Sequence, residues 1–428
     1  MRRRTFIALA AGALTSACAA APGARPGQTV LRFWSWVPGI DQAVNLWNSQ
    51  NRDTYVDLEL TPAGSSGTYS KMYAAVRGGR GAPDVAQVEY QELPGFALEN
   101  GLIELGPLGM DQHRDQFVDW QISQSSFGER IYAVPQASGP MALYYRNDIF
   151  GSLGLDVPRT WEDYRAAAEA VRADGRYIAT FPPGNSAWFA ALSWQAGARW
   201  FGLDGDVWTV GINSEQTLRV AEYWDELRSQ DLISMQPDFS NSWYADLQSG
   251  RIVTWPSAQW GGPILSGNAP GTSGNWRAAQ LPQWNPDNPA SANWGGSATA
   301  VLKGSEHPRE AAEFAIWLNS DPESIDLLIA GGYGWPSVKD ALDGTALDTS
   351  EEFFGGQNVN RDVFAPADET IGTDWLWSPT TNATYLHLND GFAGVVAGGS
   401  SFVDVVQQTH RQTVEDLRAK GLTVREAS

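Results

Sequence analysis

The sequence predicts an α/β protein of two compact lobes, on three observations. Segments with strand patterning alternate with segments of helical period along the chain, as in layered α/β folds. At 428 residues the chain exceeds the ~250–300 residues beyond which a single core usually splits. Cys18 is the only cysteine, so no disulfide is available and burial alone must hold the fold.

The chain starts with Arg2, Arg3 and Arg4 before an uncharged run from Thr5 to Ala17. That is the charged-then-apolar order of a secretory signal, and it is too short to span a bilayer. The ending Ser16-Ala17-Cys18 resembles the lipobox of bacterial lipoproteins, whose cysteine is diacylated and becomes the new N-terminus, with Thr15 where an aliphatic residue is usual. Arg3-Arg4 before Thr5-Phe6-Ile7 suits a twin-arginine signal and an ordinary arginine-rich leader equally. Residues 1–18 are therefore read as signal peptide and lipobox. Residues 19–28, AAAPGARPGQ, have no apolar period and suit a tether whose reach is ~17 Å.

Thr29 to Trp34 is rich in β-branched and aromatic residues and predicts a strand. Residues 40–50 place Ile40, Val44 and Trp47 on one helical face. Val56 to Leu60 alternates as a second strand, and after a Gly/Ser loop Tyr69, Tyr73 and Val76 have helical spacing. Ala82 to Val88 is a short buried strand whose end must project Glu89, Tyr90 and Gln91. In open α/β sheets ligands bind outside the carboxyl ends of strands, which makes those residues site candidates. Thr160 with Asp163 has the spacing of a capping box before Tyr164, Ala167, Ala168 and Val171. Pro308 opens another helix through Ala311, Ala315 and Leu318. Phe402 to Ala419 forms the last, with Phe402, Val406, Thr409, Thr413 and Leu417 inward. There is no internal repeat.

The chain holds 29 basic against 49 acidic residues, a formal charge of −20 that becomes −23 once the three leader arginines are gone. Nucleic acid needs clustered cations, and the four lysines are scattered, so it is not a partner. Twenty tryptophans exceed ordinary usage. About half are expected in the core, because a buried indole brings a large apolar area and needs a single acceptor. The rest are free to stack on the flat C–H faces of pyranose rings. Four histidines in unrelated contexts, no HExxH and no GxSxG give no catalytic constellation, and one cysteine excludes zinc or thiol chemistry. No catalytic residue, metal or cofactor is therefore expected. A glycosidase needs only two carboxylates ~5–9 Å apart, which keeps a secreted lipoprotein glycoside hydrolase as the alternative.

Tyr132-Ala-Val-Pro135, Ala142-Leu-Tyr-Tyr-Arg-Asn147, Gly154-Leu-Asp-Val-Pro158 and Thr160-Trp-Glu-Asp163 together resemble the extracellular solute-binding proteins of carbohydrate ABC importers. Gly81-Ala-Pro-Asp84, Ser193-Trp-Gln-Ala-Gly197, Trp294-Gly-Gly-Ser297 and His307-Pro-Arg-Glu-Ala-Ala-Glu-Phe314 agree in order. The resemblance implies a two-lobe periplasmic-binding-protein-like fold with crossing hinge segments. By comparison with the maltose-binding branch, residues 29–135 and 293–345 form one lobe, and 136–292 and 346–428 the other. Cleft residues carry over onto Trp36, Glu89, Tyr90, Gln91 and Gln136, onto Asn185, Trp188 and Trp260, and onto Trp294, Gly296, Trp335, Asp374, Trp377 and Tyr385. Val88-Glu-Tyr-Gln91 replaces that branch's Trp-Ala-His-Asp text, which speaks against maltose itself. The resemblance further implies a monomer on the extracytoplasmic face of the cell membrane. It would bind a mono- or oligosaccharide and dock on ABC permease subunits, held to the membrane through its lipid.

Overall fold

A computed structural model describes residues 22–64 and 67–426. Cys18, the leader and residues 19–21 of the expected tether lie outside the described residues. Residues 22–28, expected as the remainder of a free tether, form turns against the first lobe: Gly23 packs on the Tyr55 ring and Gln28 Nε2 donates to the Asn51 carbonyl at 3.4 Å.

The chain opens with strand β1 (Thr29–Ser35), helix α1 (Ile40–Gln50), strand β2 (Thr54–Leu60), helix α2 (Thr68–Gly78) and strand β3 (Val85–Glu89). Strands β4 (Ala133–Ser138) and β5 (Met141–Arg146) are nearly contiguous. Helix α3 (Trp161–Ala173) starts at the Thr160 capping box, with Asp163 N–H donating to Thr160 Oγ1 at 3.0 Å. Helix α4 (Ser186–Gln195), helix α5 (Asn241–Ser249), strand β6 (Thr254–Ala258), helix α6 (Gly261–Asn268) and strand β7 (Trp276–Gln280) follow. Strand β8 (Ser297–Val301), helix α7 (Pro308–Ser320), strand β9 (Trp335–Pro336), helix α8 (Thr381–Val396) and helix α9 (Phe402–Ala419) complete the frame. All five residues of the predicted inner stripe of α9 are buried.

One six-stranded sheet runs β9-β4-β8-β3-β1-β2, and a three-stranded antiparallel sheet runs β6-β5-β7. Register explains where the site falls. β1 and β3 are parallel, with Phe33 opposite Val85, so Ser35 and Glu89 end at one edge. β8 is antiparallel to both β3 and β4 and starts at Ser297, opposite Glu89 and Ala137. Four strands thus deliver their ends to one rim, the position expected for a ligand in an open sheet.

The two sheets are joined where the segment around Gly139 pairs with the one around Asn293. Gly139 N–H donates to Asn293 Oδ1 at 2.6 Å, and Trp294 N–H donates to the Gly139 carbonyl at 2.9 Å. A Cβ on Gly139 would stand 2.2 Å from the Trp294 carbonyl, so only glycine lets the crossing segments approach. Strand β4 includes positions 135 and 136, and just beyond its end Gly139 and Pro140 pair with Trp294 and Asn293.

Fourteen of the twenty tryptophans are buried, more than the half expected. Most pack in the second lobe, where Trp161, Trp188 and Trp224 meet Phe181, Phe189, Phe392 and Phe402. Several of their N–H groups find acceptors inside: Trp161 to Gln195 at 3.0 Å, Trp194 to the Gly372 carbonyl at 2.8 Å, Trp200 to Thr217 at 3.0 Å, whereas those of Trp375 and Trp377 are buried without one. Such an aromatic core buries large apolar areas in a chain without disulfides. Among the described residues no helix is long and apolar enough to cross a membrane.

Candidate functional site

Between the two sheets lies a cavity of about 1020 Å³, at the upper end of the roughly 300–1,000 Å³ range of small-molecule sites. On one side Trp36 and Tyr69 meet edge to face at 5.8 Å. On the other, Trp260 and Trp294 lie 4.6 Å apart and Phe239 stands 6.3 and 6.4 Å from them. Trp260 Nε1 donates to the Trp294 carbonyl at 2.9 Å, which ties the second lobe to the crossing segment. Beneath the floor runs a buried polar chain. Ser35 Oγ and the Trp36 N–H both donate to Gln87 Oε1, at 2.8 and 3.1 Å. Gln87 Nε2 donates to Ser297 Oγ at 3.1 Å, and that hydroxyl to Gln136 Oε1 at 3.0 Å. Through these bonds the chain holds Gln87 beneath the loop that carries Trp36.

The polar wall is acidic. Tyr69 Oη donates to Glu89 Oε2 at 3.0 Å and accepts the Glu89 N–H at 2.9 Å. Burial raises the Glu89 carboxyl above its ordinary value, against the hydrogen bonds of Tyr69 and Gln91. Glu92, one turn further on, is pushed up to about 7, by burial first and then by the charge of Glu89, against hydrogen bonds from Tyr73 and Asn382. Across the cleft Asn185 Nδ2 donates to Asp238 Oδ2 at 2.6 Å, and burial takes Asp238 to about 6. Helix α8 presents Asn382, Tyr385, Leu386 and Asn389 to the cavity. Ser186 N–H donates to Asn389 Oδ1 at 3.0 Å, docking α4 on α8.

Residues 34–324 match the family of bacterial extracellular solute-binding proteins. The chain belongs to that family. This solute-binding protein is 23% identical over 359 residues to an arabinooligosaccharide-binding protein of Halalkalibacterium halodurans, covering 80% of this chain and 79% of the relative. It is 23% identical over 382 residues to a lactose-binding protein of Rhizobium radiobacter, covering 84% and 85%. In fold it is similar to the galacto-N-biose-/lacto-N-biose I-binding protein of an ABC transporter from Bifidobacterium longum, solved with lacto-N-biose. The TM-score is 0.84 at 27% identity, over 94% of this chain and 100% of the other. An ABC transporter-associated binding protein from B. animalis subsp. lactis, solved with beta-1,6-galactobiose, has the same TM-score at 24% identity, over 93% and 100%.

Of the residues carried over from sequence, Trp36, Glu89, Gln91, Asn185, Trp260, Trp294, Gly296 and Tyr385 line the cavity of this solute-binding protein. Six do not. Tyr90 turns inward where a 3-10 turn begins, and its hydroxyl donates to Gln121 at 3.2 Å. The Tyr90 ring backs Gly296, whose φ of 82° and 2.8 Å approach of a would-be Cβ to the Ala137 carbonyl admit only glycine. Gln136 is fully enclosed in the floor network. Trp188 is on α4, 1% exposed, its Nε1 donating to the Pro256 carbonyl at 2.8 Å. Trp335 is buried in its short strand beside β4. Trp377 stands behind Tyr385, with ring centroids 6.4 Å apart. Asp374 faces outward in an ion pair with Arg199. Sequence reasoning missed Tyr69 as a site residue, Glu92, Phe239 and, on the α8 face beside Tyr385, Asn382, Leu386 and Asn389. The spacing of Asn382, Tyr385, Leu386 and Asn389, at i, i+3, i+4 and i+7, was the available signal for α8. Phe239 carries no periodic signal.

Proposed function

We propose that this protein captures a mono- or oligosaccharide outside the cytoplasmic membrane and delivers it to the permease of an ABC importer. The observation that carries the reading is the cavity itself: indoles and a phenyl ring on facing walls, with carboxylates and amides between them. Flat apolar ring faces with hydroxyl rims are the chemistry such a surface complements, and hydrogen bonds to charged acceptors contribute ~1.5–3 kcal/mol each. Relatives named for arabino-oligosaccharides and lactose, and similar structures holding lacto-N-biose and beta-1,6-galactobiose, support a sugar. A ligand contacting both lobes would favour the closed form by its differential affinity, and closure would mark the loaded protein for the permease. The chain works as a monomer and is not an enzyme. Cys18 anchors it by lipid, which the Ser-Ala-Cys ending of the leader supports.

Thermal-shift and calorimetric titration against neutral mono- and oligosaccharides tests the reading. A ligand at 100 times its Kd adds ~2.7 kcal/mol of stability. Chromatography should return the bound sugar intact after prolonged incubation. No stabilisation by any sugar, or shorter products whose appearance depends on one Asp or Glu, defeats it. For the anchor, palmitate should label the wild type and not Cys18→Ala, which should be released into the medium.

A further inference from the structure

Among the described residues the wall of the cavity holds no lysine, arginine or histidine. Residues 65 and 66, next to the wall residue Gly64, are both serine. The wall does hold Glu89 and Glu92, with Asp238 directly behind Asn185. None of the three carboxylates takes part in an ion pair among the described residues, whereas many acids on the outer surface do, as Arg77 with Glu99 and Arg361 with Asp348. Their hydrogen-bond partners are neutral: Tyr69 for Glu89, Tyr73 at 3.3 Å for Glu92, Asn185 for Asp238. The lift of all three carboxyls above their ordinary values is caused by burial, and for Glu92 also by Glu89, with no cation among the opposing influences. The cavity is therefore a partly desolvated space of one sign of charge, with no group to pair an incoming anion.

We propose that this cleft sorts glycans by charge, taking uncharged sugars and excluding those that carry a carboxylate, with Glu89 and Glu92 as the specificity-determining groups. The inference rests on the carbohydrate reading above and narrows it. A hydroxyl can donate to Glu89 or Glu92. A uronate presented to the same atoms is acceptor against acceptor and charge against like charge, and such juxtaposition works as exclusion of the wrong partner. Ionisation of the ligand thus has a cost inside the cleft that it lacks in water, and the ligand has no means of discharging it except protonation.

The test takes lactose, beta-1,6-galactobiose and arabinotriose, together with the analogue of each in which one primary alcohol is oxidised to a carboxylate, and digalacturonate. Calorimetry at pH 8 on the wild type should give each neutral binder a Kd at least about a hundredfold below that of its carboxylate analogue, or ~2.7 kcal/mol. In the isosteric double variant Glu89→Gln/Glu92→Gln the ratio should fall to about tenfold or less, with melting curves recorded to verify folding. An analogue within about tenfold of its parent in the wild type overturns the proposal. So does a ratio that the double variant leaves unchanged, since the loss would then come from the missing hydroxyl and not from charge. Binding of digalacturonate alone would overturn charge exclusion while leaving a carbohydrate ligand in place. Silence from every sugar, neutral and acidic, would instead defeat the carbohydrate reading and this inference with it.

Discussion

Replacing Phe239 by glycine separates a residue placed for a ligand from one placed for the fold. Phe239 has a φ of 55° and is 39% exposed, both unusual for a bulky aromatic, and left-handed backbone at a non-glycine residue costs of order 1–3 kcal/mol. Its ring lies 5.6 Å from Trp243 and 6.0 Å from Trp255, so about half of it is sheltered. Losing that shelter costs about 1–2 kcal/mol. Release of the backbone strain offsets about the same amount. The net change in stability is therefore near zero, within about 1 kcal/mol, which in a lobe-sized cooperative unit moves the melting temperature by no more than ~4 °C. Affinity should respond differently. With base stacking on aromatics as the analogue, one ring contributes ~1–3 kcal/mol, a five- to hundredfold weakening of sugar binding. Paired calorimetry and differential scanning of Phe239→Gly and wild type read both quantities. Unchanged affinity together with a fall of more than ~6 °C would show that the ring supports the wall rather than the ligand, and that the strained backbone serves packing.

Three further perturbations follow from the same geometry. Trp188→Ala removes a buried indole and orphans the Pro256 carbonyl, so it should cost ~3–5 kcal/mol and lower the melting temperature by ~6–20 °C. Sugar affinity measured well below that transition should stay within about twofold, and a large affinity loss with a normal melt would return Trp188 to the site. Gly139→Ala drives a methyl against the Trp294 carbonyl at 2.2 Å and the Trp260 Nε1 at 3.0 Å. It should cost ~1–3 kcal/mol and weaken binding as the Trp260 and Trp294 plates part, whereas wild-type affinity in this variant would mean the hinge yields elsewhere. Glu92 ionises near 4.5 in its ordinary state and near 7 in the fold. Its neutral form is the one the fold favours, so its stabilisation is complete below about pH 4.5 and is lost as pH rises through 7. Glu92→Gln should therefore gain on the wild type between pH 5 and 8, by on the order of 3 kcal/mol at the upper end. A melting-temperature difference that stays flat over that range would refute the assignment.

What the sequence made legible, and what it did not, divides along the range of the interactions. Helix α3 was readable because Thr160 and Asp163 complete a capping box within four residues. Helix α9 was readable because one stripe of apolar side chains recurs at helical spacing against a charged face. Helix α4 fails that test for a physical reason. Nine of its ten residues are buried, so SAWFAALSWQ is apolar on every side and has no period to detect. The family resemblance carried Trp188 into the cleft, whereas the helix turns that indole into an aromatic core. The same limit applies to Tyr90. A polar or aromatic run after a buried strand tells which end of the sheet it occupies, but not that a 3-10 turn sends Glu89 and Gln91 to the rim and Tyr90 beneath Gly296. The site itself depends on register between strands far apart in sequence: Phe33 opposite Val85, and Ser297 opposite both Glu89 and Ala137. Nothing local in any of those strands specifies its partner. The α8 face is the intermediate case, since Asn382, Tyr385, Leu386 and Asn389 keep a helical period that marks a common face. That face becomes part of a binding cavity only because Ser186 docks on Asn389 and brings α8 over the acidic wall of the other lobe.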